Sequence, residues 1–145
     1  MIAIDTNILV YAHQPDSPWH EAALSAILPI VEGRELWGLP WPCVHEFFAV
    51  VTHTRFKVPS TPAQALGMSA ALMASPSVQM LGESPGHFQL LSSMVLSAKL
   101  SGAMIHDARI AAICLSHGVR ELISADRDFS RFVQLKVRNP LIVTF

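Results

Sequence analysis

Only eleven of the 145 residues are Asp or Glu, and four of them stand where a solvated acid would not. Asp5 follows Ile2-Ala-Ile4 and precedes Ile8-Leu-Val10, and Glu46 precedes Phe47-Phe48. Asp107 lies among Met104, Ile105, Ala108 and Ile110, and Asp126 follows Glu121–Ser124. Surface acids on helices usually keep a Lys or Arg three or four residues away, and these four do not. A carboxylate in apolar company needs a partner, a metal or a shifted pKa. If the four converge, they form an all-oxygen site suited to Mg²⁺ or Mn²⁺. No His or Cys pair has zinc spacing. The chemistry such a site supports is metal-assisted hydrolysis of a phosphodiester, in which a bound water is activated and the leaving oxygen stabilised. Each acid alone has a plainer reading. Asp5 can cap a following helix, Asp126 can cap a turn over Arg127–Arg131, and early helical positions favour acids through the dipole. Four such coincidences in a chain that is 14% charged favour the constellation.

The elements that would position these acids can be read from periodicity. Met1–Ile4 reads as a strand, followed by helical spacing through Ile8, Leu9, Tyr11 and Ala12. A helix is expected after Ser17 with Pro18 at its first position, running to Glu32-Gly33 with Pro29 as a kink or an early stop. Leu36–Leu39 reads as a strand closed by Pro40 and Pro42, and Val44 to His53 as a helix. Thr61-Pro62 opens a helix over Ala63–Ala74, and Val78–Leu81 is a strand. Helices follow over His87–Leu100 and Ile105–His117, the latter stopped by Gly118. Glu121–Ser124 is a strand, and Leu141–Thr144 a short last one. Strands alternating with helices predict one α/β domain over residues 1–145, a short central parallel sheet flanked by helices in three layers. Ligands of such sheets bind beyond the carboxyl ends of the strands, where Asp5 and Asp126 fall. Glu46 and Asp107 are expected early in their helices.

Composition bounds the rest. The chain is 51% hydrophobic, yet no apolar run is long enough to span a bilayer, and the N-terminus lacks a basic leader region. A soluble, cytoplasmic protein with no membrane partner is expected. Cys43 and Cys114 read as buried free thiols. A net charge of −1 gives no bulk footprint for nucleic acid, but Arg120, Arg127, Arg131, Lys136 and Arg138 cluster late and leave room for a local basic rim. Trp37 and Trp41 read as core, His106 as an ordinary solvent position, and Arg109 as a surface or dimer residue off the face of Asp107.

Asp5-Thr6-Asn7 after an apolar strand, Glu46 in Pro42-Cys-Val-His-Glu-Phe47, Asp107 in His106-Asp-Ala-Arg-Ile-Ala-Ala112, and Ser124-Ala-Asp-Arg-Asp-Phe129 together resemble the PIN domain. The likeness is to VapC-type toxins of bacterial toxin–antitoxin pairs, in order and spacing over essentially the whole chain. The resemblance implies a Mg²⁺- or Mn²⁺-dependent endoribonuclease, usually a homodimer, restrained by a VapB-type antitoxin. Carried over by position, it makes Asp5 and Asp107 the main metal ligands, with Glu46 and Asp126 completing the pocket and Asp128 a further ligand. It gives Thr6 a hydroxyl close to the site and Asn7 the organisation of the turn around Asp5. Two alternatives stand beside this reading: a degenerate PIN-like module that binds protein or RNA without catalysis, and a PIN nuclease for structured DNA or precursor ribosomal RNA.

Overall fold

The computed structural model describes residues 1–142. Five short strands, β1 (Ile2–Ile4), β2 (Trp37–Pro40), β3 (Val78–Leu81), β4 (Glu121–Ile123) and β5 (Lys136–Arg138), stand in the order β3-β2-β1-β4-β5. Every pairing is parallel, so each connection must cross over the sheet. The crossovers carry α1 (Thr6–His13), α2 (His20–Val31), α3 (Trp41–Val51), α4 (Pro62–Met73), α5 (His87–Ala98), α6 (Met104–Ser116) and a 3₁₀ turn at Arg127–Arg131.

Alternation along the strands divides the core in two. Ile4, Ile123, Trp37 and Leu39 pack with Ile8, Leu9, Phe47 and Val51 on the face covered by α1 to α4. Ala3 and Leu122 pack with Ile110, Ala111, Cys114 and Phe129 on the opposite face, under α5, α6 and the 3₁₀ turn. The result is the three-layer α/β architecture read from the sequence. The chain leaves β1 toward β2 and β3 on one side and returns to β4 and β5 on the other. The reversal lies between β1 and β4, and a crevice opens at such a point.

Local chemistry explains most boundaries. Thr61 and Gln64 form a reciprocal capping box ahead of α4, with Pro62 at its first turn. Gly118 adopts φ +72° and stops α6. Four expectations need correction. Helix α2 begins at His20, because the Ser17 hydroxyl and carbonyl hold Trp19 and His20 in a tight turn first. Pro29 does not end it early, since it falls in the last turn on the exposed side. Helix α3 begins at Trp41, Pro42 being tolerated in a first turn whose N–H groups have no helical partner. The last strand is β5, while Leu141 and Ile142 are turn and bend, and the remainder of the expected strand lies outside the described residues. Strand β5 is held to β4 by Glu121, which binds Arg138 Nε at 2.8 Å and Lys136 Nζ at 3.0 Å. Burial opposes ionisation of Glu121, but the two cations hold its carboxyl below the usual range.

Close approach between neighbouring strands is tightest at Gly38, where a Cβ would lie 2.5 Å from Leu81 Cδ1 and 3.2 Å from its Cγ. Replacement of Gly38 by Ala is expected to cost about 1–3 kcal/mol in urea denaturation. An unchanged midpoint would show that Leu81 can turn aside.

Candidate metal centre

Backbone pairing places the first acid. Asp5 follows β1 directly, its N–H bonded to the Ile123 carbonyl at 3.0 Å, so it lies level with the end of β4. Its backbone is extended and it stands at the start of α1, yet its side chain makes no capping bond. The capping explanation therefore fails for Asp5. Its carboxylate, only 4% exposed, turns into the crevice. There the Ser124 hydroxyl donates to Oδ2 at 2.7 Å and the Cys43 thiol to Oδ1 at 3.5 Å.

Ser124 is the hub of this arrangement. Its Oγ donates to Asp5 and accepts from Asn7 Nδ2 at 3.4 Å and from the Asp126 N–H at 3.0 Å, which uses its full capacity. Asn7 Oδ1 accepts from the Ala125 N–H at 3.2 Å, tying α1 to the loop that carries Asp126. Asp126 does cap its turn, accepting from the Asp128 N–H at 2.9 Å through one oxygen. The Thr6 hydroxyl donates to Glu46 Oε2 at 3.2 Å.

Asp5, Thr6, Asn7, Glu46, Asp107 and Asp126 line one cleft of about 610 Å³. Asp128 lines a second cleft that shares Glu46 and Asp107 with the first. The tightest grouping is Asp107, Asp126 and Asp128, which each offer an oxygen within 4.8 Å of the others. Asp5 and Glu46 stand outside that grouping, with Asp5 engaged by protein donors. Asp128 is thus nearer the centre than its sequence position suggests. Glu46 is the sixth residue of α3 and not in its first turn, so the helix dipole does not account for it. Asp107 is in the first turn of α6.

The electrostatics fit a hard cation. Among the described residues no Lys or Arg pairs with any of these acids; the ion pairs involve Glu83 and Glu121. Burial pushes the Asp5 carboxyl up to about 6, with the charge of Glu46 adding to the rise and Ser124, the Thr6 N–H and Cys43 opposing it. Asp107 is also raised to about 6, by burial and then by the charges of Asp126, Asp5, Asp128 and Glu46. A divalent ion on oxygen ligands would relieve that crowding.

Sequence reasoning missed Ser124 and Cys43. The late basic residues do not form a rim on the cleft holding Asp5, whose lining includes none of them. Lys136 and Arg138 are bound to Glu121, and Arg131 reaches the Met104 sulfur. Arg109 donates to Glu83 at 2.6 Å, and His106 is exposed beside the second cleft. Trp37 is core, whereas Trp41 is 39% exposed and packs on His45.

A family model described as the PIN domain matches residues 2–135. The chain is 34% identical over 142 residues to the VapC ribonuclease Mb2897 of Mycobacterium bovis, covering 97% of this chain and 96% of that protein. It is 30% identical over 137 residues to ribonuclease VapC48 of Mycobacterium tuberculosis, covering 94% of each. Among solved structures, VapC20 of Mycobacterium tuberculosis, a sarcin-ricin loop cleaving toxin, aligns with a TM-score of 0.67 at 17% identity over 90% of this chain and 93% of that one. VapBC2 of Rickettsia felis, bound to a DNA fragment from its promoter, aligns with a TM-score of 0.68 at 16% identity over 96% and 98%. The two structures establish likeness of fold.

Because Asp5 binds its proton more tightly in the folded protein, its ionised form costs stability in the absence of metal. That cost is absent below the ordinary carboxylate range, grows from about pH 4 to pH 6, and is complete above. Replacement of Asp5 by Asn should therefore stabilise the metal-free protein at pH 7.5, by something on the order of 1–3 kcal/mol, with the gain vanishing near pH 4. A variant less stable than the parent at pH 7.5 would contradict this electrostatic account.

Proposed function

The chain belongs to the PIN-domain family, among the VapC ribonucleases, and from that premise we propose that it is a Mg²⁺-dependent endoribonuclease, the toxin of a VapBC-type toxin–antitoxin pair. The observation that carries the reading is the crowding of Asp5, Glu46, Asp107 and Asp126 around one cleft with no cationic partner among the described residues. An all-oxygen, electron-rich donor set suits Mg²⁺, with Mn²⁺ as a substitute. All four acids are present, which favours catalysis over a degenerate binding module.

In this proposal Asp107, Asp126 and Asp128 hold the ion, and Asp5 and Glu46 complete the negative field around it. A bound Mg²⁺ supplies a water of lowered pKa and offsets charge on the scissile phosphate and leaving oxygen. The protein's own part is positioning. Ser124 and Cys43 satisfy Asp5 from the protein side, Thr6 steers Glu46, and Asn7 with Ser124 fixes the loop that carries Asp126. Such supporting groups are commonly worth 10- to 100-fold in metal affinity or activity, by rough count.

The partners follow from the same reading. RNA is the substrate, and an antitoxin of the VapB type restrains the enzyme; a toxin–antitoxin complex from Klebsiella pneumoniae contains a chain of this fold, at a TM-score of 0.64. No helix among the described residues is long and apolar enough to cross a membrane. Phe88 and Leu96, 73% and 78% exposed on α5, favour a homodimer formed through that helix.

With purified protein and single-stranded RNA, cleavage is expected in Mg²⁺ or Mn²⁺ and not in excess chelator. Replacement of Asp107 by Asn should lower kcat/KM by roughly 100-fold or more while the circular dichroism spectrum is kept. Wild-type cleavage by that variant, or cleavage indifferent to chelator, would sink the proposal.

A further inference from the structure

The cleft that holds the acids has a second kind of wall. Its lining includes Tyr11, Trp19 and Phe56, and Arg55 is the one Lys or Arg among its residues. The turns that carry these groups are built. The Ser17 hydroxyl accepts the Trp19 N–H at 3.1 Å, and His20 Nδ1 donates to the Tyr11 carbonyl at 3.0 Å, tying the start of α2 to α1. Across from them, His53 Nδ1 accepts the Arg55 N–H at 3.0 Å and the His53 carbonyl accepts the Phe56 N–H at 3.2 Å. The Arg55 guanidinium lies 5.4 Å from the centre of the Phe56 ring, and among the described residues it pairs with no carboxylate. Trp19 stays 45% exposed although the turn that bears it is fixed on both sides.

The exposed indole of Trp19 lines the same cleft as Tyr11 and Phe56, so three aromatic side chains stand beside the acids. In a cleft that ends on metal-type carboxylates, the occupant that needs both aromatic faces and a lone cation is a single strand of nucleic acid: bases stack on rings, and the guanidinium meets phosphate. A volume of about 610 Å³ suits a nucleotide or two. The strand need not stop at the acids. Glu46, Asp107 and Ile110 also line the second cleft, with His45, His106 and Arg109 beyond them, so the acids stand along a longer groove.

We propose that Trp19, Phe56 and Tyr11 form a base-stacking wall, with Arg55 on the adjoining phosphate, that seats single-stranded RNA beside the acids. The proposal rests on the nuclease reading above. It also supplies the RNA path that the basic residues late in the chain do not provide.

The test uses the whole chain and three variants, Trp19→Ala, Trp19→Phe and Phe56→Ala. Two probes are titrated in Ca²⁺ by fluorescence anisotropy: a fluorescein-labelled oligo(A) octamer and an abasic octamer of the same backbone. Mn²⁺ affinity is measured separately by calorimetry. The two alanine variants are expected to weaken the oligo(A) octamer roughly 5- to 100-fold, Trp19→Phe to keep most of the affinity, and the abasic octamer and Mn²⁺ to bind all forms alike. Unchanged oligo(A) binding in both alanine variants would overturn the proposal, as would an equal loss for the abasic octamer. If those variants instead lost a co-expressed antitoxin while keeping the octamer, the wall would be a protein groove and the proposal wrong. The octamer reads the wall and Mn²⁺ reads the acids, so a wild-type chain that takes the octamer but no Mn²⁺ contradicts the metal centre alone.

Discussion

Unrelieved repulsion among carboxylates is the constraint on which the rest of this structure depends. Five acids gather from the end of β1, the loop after β4, the middle of α3 and the first turn of α6, and the fold spends no Lys or Arg on any of them among the described residues. Burying Asp5 at the end of β1 is the costliest part. It is made tolerable by donors that carry no charge: a hydroxyl, a thiol and a backbone N–H. Cationic partners would have stabilised the protein alone. Their absence leaves the negative field unrelieved, as the proposed cation site requires.

Topology explains how these acids meet. The strand order reverses between β1 and β4, and the crossover from β3 to β4, through α5 and α6, brings Asp107 back over that gap. Ser124 then closes it, since one hydroxyl bonds the acid after β1, the amide on α1 and the loop after β4. The hydrogen bond that holds the Asp5 carboxylate thus also ties the loop after β4 to the end of β1, beside the backbone ladder that joins the two strands. The same economy recurs at the far edge, where Glu121 holds β5 by two ion pairs.

Asp5, Glu46, Asp107 and Asp126 were legible in the sequence because an acid among aliphatic residues breaks the expected pattern, and the three-layer sheet was legible from alternation of strands and helices. Ser124 stood out only as the first residue of the segment that carries Asp126, since its bonds to Asp5 and Asn7, more than a hundred residues away, leave no local mark. Cys43 read as an inert thiol because burial and contact with a carboxylate look alike in one dimension. Strand β5 escaped notice because Lys136-Val-Arg138 is polar and is held by ion pairs to its neighbour, not by an apolar run. The exposed indole of Trp19 owes its position to a turn formed by Ser17, which looked like the start of a helix.

Acids with no cationic partner should take up a divalent ion, and thermal unfolding with and without one tests this most directly. The midpoint of the wild-type chain is to be measured at pH 7.5 in EDTA and in millimolar Mn²⁺. Binding to the folded state alone should raise it by several degrees, on the order of 2–3 kcal/mol at saturating metal, and the rise should fade as the pH is lowered through about 6, where Asp5 and Asp107 take up protons. A midpoint indifferent to Mn²⁺ at pH 7.5 would contradict it.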